Sequence, residues 1–203
     1  MNNPGDIINR DAIRPGDIIC RDSGGFIGKA IKWATSTKES QTLWNHDAIV
    51  VPQRGHLCIG DALIGRECQL TVFWEWEQGC RKHGHKLIVL RPKNATSDDG
   101  ERAATAWLGE VWGTPYDRVA IYRLLLKRIF GDWLPGQVGL DTHFFCTEGV
   151  ARAWKRATGF PTPWSPVTAN ETPGTTCAAW RKGQLVEVPG AFTDAGEKYR
   201  ITP

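Results

Sequence analysis

Thr142-His143-Phe144-Phe145-Cys146-Thr147-Glu148-Gly149-Val150-Ala151-Arg152-Ala153-Trp154 presents a cysteine at the first turn of an amphipathic helix. Val150, Trp154 and Ala157 recur at spacings of four and three, which makes one face apolar. Glu148, Arg152, Lys155 and Arg156 fill much of the remainder, with the acid near the start and the bases near the end, as the helix dipole favours. Gly159 is a natural stop. Cys146 precedes Val150 by four residues, so it shares the inward side. A thiol at the positive end of a helix is biased toward the nucleophilic thiolate. A small core residue is the competing reading, and the commoner fate of a free cysteine. This stretch alone supports either.

Composition sets the frame for the choice. A chain of 203 residues is long enough to bury a core without metals or disulfides. It reads as one domain over 1–203, with an irregular Pro-rich segment from about 160. Hydrophobic content of 41% with 23% charged residues is that of a globular protein rather than a disordered or membrane-spanning one. Ten tryptophans point to aromatic surface used for binding as well as packing. A formal charge of +3 suits an anionic surface or polymer and gives no reason to expect nucleic acid. The six cysteines are not spaced like a stapled mini-domain. No basic segment precedes an N-terminal apolar run, and no window of membrane-spanning length is apolar. Synthesis in the cytoplasm is therefore expected, with signal-less export or phage-associated release as compatible routes.

Upstream of the cysteine, Pro15-Gly16-Asp17 turns into a short strand at Ile18-Ile19-Cys20, and a helix is expected over roughly 25–35. Asn45-His46-Asp47-Ala48-Ile49-Val50-Val51 ends in β-branched residues before Pro52 and reads as a strand. Leu57-Cys58-Ile59-Gly60-Asp61-Ala62-Leu63-Ile64 reads as its hairpin partner across a loop at Pro52–Gly55. If Val51 faces His56, then Ala48 faces Ile59 and His46 faces Asp61, where directly opposed Cβ atoms are about 4.5–5.5 Å apart. A bulge at Gly60 would shift that register. Further strands are expected at 70–76, 86–90 and 184–188, and helices at 101–111 and 119–130.

A thiol hydrolase needs a thiolate, an imidazole to exchange its proton, and an acceptor that fixes the imidazole. Cys146, His46 and Asp61 supply those groups, as nucleophile, general base then acid, and orienting carboxylate. The hairpin gives the His–Asp pair a geometric reason to exist. His143, three residues before the cysteine, is the reserve base.

The succession Arg14-Pro15-Gly16-Asp17-Ile18-Ile19, Trp44-Asn45-His46-Asp47-Ala48-Ile49-Val50, Ile59-Gly60-Asp61-Ala62, Gly113-Thr114-Pro115-Tyr116-Asp117 and Phe145-Cys146-Thr147-Glu148-Gly149-Val150 resembles the circularly permuted branch of the NlpC/P60 papain-like superfamily. That branch holds the YiiX/YaeF-like proteins and relatives of lecithin:retinol acyltransferase. The resemblance spans roughly residues 14–160. It implies an α+β permuted papain-like fold, a small antiparallel sheet with packed helices, and cleavage or transfer at amide, ester or thioester carbonyls. Glu often stands in YiiX-like members where this chain has Asp61, and Thr147 replaces the usual Ser after the cysteine. Tyr116 matches a family tyrosine near the site and is a candidate oxyanion donor; a packing tyrosine is the alternative. Glu148 matches the family's acid after the nucleophile, for a substrate-binding role or a structural one. Trp44, beside His46, would wall the cleft or simply pack.

The expected activity is a cysteine peptidase or amidase acting on bacterial cell-wall peptide, with no cofactor. The alternatives are a thioesterase or acyltransferase on lipid or acyl substrates, and an inactive binding module. Cys68, Cys80, His83 and His85 lack the paired spacing of a zinc site, so no metal is expected. The basic helix over 118–130 is read as a core helix with a solvated cationic face, or as a peripheral membrane or wall contact.

Overall fold

The computed structural model describes residues 5–36, 41–63, 65–130, 145–159 and 171–202. His143 and the prolines at 161, 163 and 166 lie outside the described residues. The strands are β1 (Ile18–Asp22), β2 (His46–Gln53), β3 (His56–Ala62), β4 (Cys68–Val72), β5 (Lys86–Pro92) and β6 (Leu185–Glu187). They form one antiparallel sheet in the order β4-β3-β2-β1-β5-β6. The helices are α1 (Phe26–Thr35), α2 (Phe73–Lys82), α3 (Ser97–Glu110), α4 (Arg118–Phe130), α5 (Cys146–Thr158) and α6 (Pro173–Arg181).

Strand alternation sorts the core onto the two faces of the sheet. Ile18, Cys20, Ile49, Val51, Ile88 and Leu90 pack under α3 and α5, against Trp107, Val150 and Trp154. Ile19, Ala48, Val50, Ile59, Leu87 and Val89 pack on the other face, against Phe73, Trp76 and Cys80 of α2 and the N-terminal Ile7 and Ile8. Cys68 and Cys80 therefore belong to opposite faces, which separates the two thiols of the zinc-like cluster.

The β2–β3 register differs from the sequence expectation by two residues. Gln53 pairs with His56, Val51 with Cys58 and Ile49 with Gly60. The loop is only Arg54-Gly55, with φ of 51° and 78°. Two successive positive-φ residues make the tight hairpin turn whose twist matches the strands. A shift of two leaves every side chain on its original face. Gly60 is not bulged, since it pairs regularly with Ile49 on one side and Leu70 on the other. It permits a close approach instead: a Cβ there would lie 2.9 Å from the Trp107 ring of α3.

Three other expectations change. The apolar stretch at 70–76 is a strand only to Val72. Phe73, Trp76, Glu77 and Cys80 then follow helical spacing and are the buried residues of α2. In the Pro-rich region, residues 173–181 form α6 rather than irregular chain; Thr172 and Thr175 make a capping box and Pro173 occupies the first turn. Finally, most of the apolar side expected for α4 is not core, although Leu125 packs against it together with Leu124. Ile121 is buried, but Tyr122 is 67% and Ile129 61% exposed.

Candidate active site

His46 opens β2, and its ladder with β3 begins only at Ile49, opposite Gly60. Continuing that register sets Asp61 level with Ala48, so His46 and Asp61 are diagonal neighbours on one face rather than directly opposed. Diagonal positions remain within reach of long side chains. His46 Nε2 is in hydrogen-bond contact with Asp61 Oδ1, and Trp76 Nε1 of α2 donates to Asp61 Oδ2 at 3.2 Å. Arg21, the β1 partner of His46, lies over the Trp76 ring. The carboxylate is thus held at both oxygens inside the fold, with Asp61 1% and His46 7% exposed.

Burial disfavours the charged imidazolium. The Asp61 carboxylate, and after it the charge of Cys146, outweigh that penalty and hold His46 at about 9. Burial likewise pushes Asp61 up, but the His46 charge, the bond to it, Arg21 and Trp76 together bring it below the ordinary carboxylate value. Around neutral pH the pair is an imidazolium and a carboxylate.

Cys146 is the first residue of α5, after the N-cap Phe145, and is 2% exposed beside Val150 as the spacing predicts. Its charge acts on His46, on Tyr116 and on Cys68, so the thiol lies in one electrostatic neighbourhood with the His–Asp pair. Tyr116 is 6% exposed, with its ring 6.1 Å from that of Phe145. Burial, then the Cys146 and Asp61 charges, push its phenol well above the ordinary value, so it stays a hydrogen-bond donor. Glu148 sits half-buried in the first turn of α5. Trp44 lines none of the clefts described among the folded elements. It is wholly buried, with its ring 5.9 Å from Trp180, and the packing reading holds for it.

Sequence reading overlooked the residues that fasten these parts together. Asp47 points to the α5 face, where its Oδ2 accepts from Thr147 Oγ1 at 2.7 Å and from Thr176 Oγ1 of α6 at 2.9 Å. Burial raises its pKa, opposed by bonds from Thr147, Cys20 and Thr176. One carboxylate therefore joins β1, β2, α5 and α6 directly beneath the site. The residue after the histidine holds the residue after the cysteine. Adjacency in sequence hinted at this, but no spacing rule says that 47 meets 147 and 176. The supporting bond from Trp76 was hidden for another reason, since it belongs to the helix read as a strand.

A sizeable cleft among the described residues lies elsewhere. It encloses about 730 Å³ beside α1, lined by Lys29, Lys32, Trp33, Lys86 and Arg200 among others, and no member of the Cys146 cluster lines it. The chemical case for the Cys146 site rests on convergence of groups, not on cavity size.

No family model matches the sequence, and no curated protein does. Among solved structures, the chain is similar to the crystal structure of metalloprotein YiiX from Escherichia coli O157:H7 (DUF1105). The match covers 89% of this chain and 92% of that one, at a TM-score of 0.53 and 19% identity. The likeness is to the YiiX type that the order of motifs resembles, and it shows a shared α+β papain-like fold. The word metalloprotein describes that protein; among the described residues of this chain, no three His, Cys, Asp or Glu side chains form a metal-binding group. Nor is any described helix long and apolar enough to cross a membrane.

Proposed function

We propose that this chain, which has the fold of YiiX, is a cysteine-dependent hydrolase of amide or peptide bonds, with bacterial cell-wall peptide as its substrate. The observation that carries the reading is the buried His46–Asp61 contact, with the residue after the histidine, Asp47, bonded to the residue after the cysteine, Thr147, at the start of α5. A core cysteine has no need of a charged, doubly anchored dyad beside it.

With Nε2 engaged by Asp61, the Nδ1 side of His46 is left for proton exchange. The Cys146 thiolate attacks the carbonyl carbon, and the Tyr116 hydroxyl and the Cys146 backbone N–H stabilise the oxyanion. The His46 imidazolium gives its proton to the departing amine as the C–N bond breaks, leaving a thioester on Cys146 and a neutral imidazole. The imidazole then takes a proton from water, whose oxygen attacks the thioester. Collapse releases the carboxylic acid and restores the thiolate–imidazolium pair. Asp61 remains ionised throughout and stabilises the imidazolium.

The test is Cys146→Ala against purified peptidoglycan, with the release of wall peptides read by chromatography. Release is expected from the native chain only, and intact-mass spectrometry is expected to trap an acyl adduct at Cys146. Undiminished release by the variant sinks the assignment. A thioesterase or acyltransferase acting on lipid is the second reading, favoured by the exposed apolar and cationic side chains of α1 and α4. Turnover of acyl thioesters with no release of wall peptides would select it.

A further inference from the structure

We infer that the joint face of α1 and α4 is a docking surface for an anionic lipid bilayer. The two helices pack on one another, and the Arg128 guanidinium of α4 sits 5.5 Å over the Trp33 ring of α1. Ile31 and Ile121 point into the core. Most of the other large apolar side chains on the pair are out in solvent: Phe26 at 87%, Tyr122 at 67%, Ile129 at 61% and Phe130 at 58% exposed, with Ile27, Trp33, Val119 and Leu126 also open. Scattered exposed hydrophobics need no explanation, but a concentration of them on two packed helices does.

Charge selects the occupant. The two helices carry six cations, Lys29, Lys32, Arg118, Arg123, Lys127 and Arg128, and no acidic residue. Their +6 exceeds the +3 of the whole chain, so everything else is net negative. Aromatic and aliphatic side chains interleaved with long basic ones are what an interfacial helix needs. The apolar groups enter the acyl boundary while the cations meet anionic headgroups. A second copy of this chain is disfavoured, because a symmetric contact would bring two such fields face to face. Nucleic acid would make no use of Ile27, Val119, Leu126 or Ile129. The 730 Å³ cleft borders the same face, with Trp33 belonging to both; within it Lys32 is paired with Asp22, and Arg200 with Glu187 and Glu197, so Lys29 and Lys86 are its cations outside those ion pairs.

The surface is also attached to the catalytic cluster. Arg118 begins α4 two residues after Tyr116. Gly28 of α1 lies against Asn45, the neighbour of His46, so closely that a Cβ would fall 1.9 Å from Asn45 Nδ2. A bilayer held by these helices would bring membrane-borne substrate to the end of the sheet where Cys146 and His46 lie.

Sedimentation of the full chain with phosphatidylcholine vesicles, with and without phosphatidylglycerol, tests the inference. Co-sedimentation is expected with the anionic vesicles, weakening as salt rises. Tyr122→Ser with Ile129→Ser is expected to abolish it. These positions are exposed, and an unchanged thermal unfolding curve verifies that the variant folds. Lys29→Glu with Lys127→Glu, one change on each helix, is expected to weaken binding by more than about tenfold, given roughly fivefold per cation removed. Cys146→Ala should bind like the native chain, which separates docking from the catalytic reading. The inference is overturned if anionic vesicles fail to sediment the chain or if both paired variants bind like the native protein. It is equally overturned if ultracentrifugation shows a dimer that Tyr122→Ser with Ile129→Ser dissolves, since the covering partner is then a second copy.

Discussion

Replacing Asp61 by Asn tests the electrostatics of the site directly, because it keeps the size of the side chain while removing the charge and one of its two acceptor oxygens. His46 stands at about 9 against an ordinary 6.5. At about 1.4 kcal/mol per pH unit, that displacement is worth about 3 kcal/mol. Burial is the largest single influence on His46 and opposes the charge; Asp61 acts for it through both charge and hydrogen bond, and Cys146 through charge. Without Asp61, the Cys146 contribution alone is smaller than the burial penalty, and Arg21 adds to that penalty. His46 in Asp61→Asn is therefore expected to titrate at 6.5 or below. Long-range proton–nitrogen correlation spectra recorded across pH follow the ring nitrogens, with His46→Gln identifying the signals. The stability consequence has a definite sign. A raised imidazole contributes fully below its unfolded value of 6.5, and the contribution is lost as pH rises through about 9. Urea denaturation should accordingly show native stability falling by about 3 kcal/mol across that window, with most of the slope missing in the variant. A His46 midpoint that stays near 9 in Asp61→Asn would refute the coupling, and with it the assignment of Asp61 as the orienting acid.

Cys146→Ala should lower the His46 midpoint in the same spectra while leaving the Asp61 contact in place, because the thiol supports the imidazolium by charge; an unmoved midpoint would place the thiol outside the site. Thr147→Val removes one of two hydroxyls that satisfy the buried Asp47, and should cost about 1–3 kcal/mol in urea denaturation. Asp47→Asn, which can still accept from both threonines, should cost less than Asp47→Ala, which leaves both without their acceptor. Gly60→Ala drives a methyl into the Trp107 ring and should destabilise by about 1–3 kcal/mol, seen as a lower thermal midpoint.

The legible parts of this protein are those set by periodicity. The α5 reading needed only the four-and-three spacing behind Cys146, and that helix buries Val150 and Trp154 as expected. The His46–Asp61 pair survived an incorrect register because the error was even, and the two-residue repeat of a strand forgives even errors. The register itself was hidden in the backbone of Arg54, which adopts a positive φ that its residue type seldom takes and so shortens the loop to two residues. Aromatic residues obscured α2: Phe73, Trp74 and Trp76 favour strands, and only the burial of Glu77 and Cys80 on the same side reveals the helix. In α4 the expected apolar face of Val119, Tyr122, Leu125, Leu126, Ile129 and Phe130 missed Ile121 and Leu124, which with Leu125 are the residues that pack on the core. Amphipathicity, however, says which residues share a side, not what covers that side.

The end of the sheet accounts for how the first turn of α5, under one face, is tied to the strand that carries His46 toward the other. By alternation His46 projects to the α2 face with Ala48 and Val50, while Asp47 projects to the α5 face with Ile49. In mid-sheet those directions would keep their partners apart. Residues 46–48 are paired with β1, and the β3 ladder starts only at Ile49. This stretch therefore lies at a boundary of the sheet where both faces are within reach. Asp47 draws the first turn of α5 to that boundary through Thr147, and His46 draws Asp61 and, through it, Trp76 from the opposite side. Two consecutive residues of β2 thus gather groups from both layers. A two-residue slip along β2 would keep every side chain on its proper face and still dismantle the arrangement, because Asp47 and Thr147 would no longer be level. The tight Arg54-Gly55 turn that fixes the register is consequently part of the site's construction, although it stands at the far end of the hairpin.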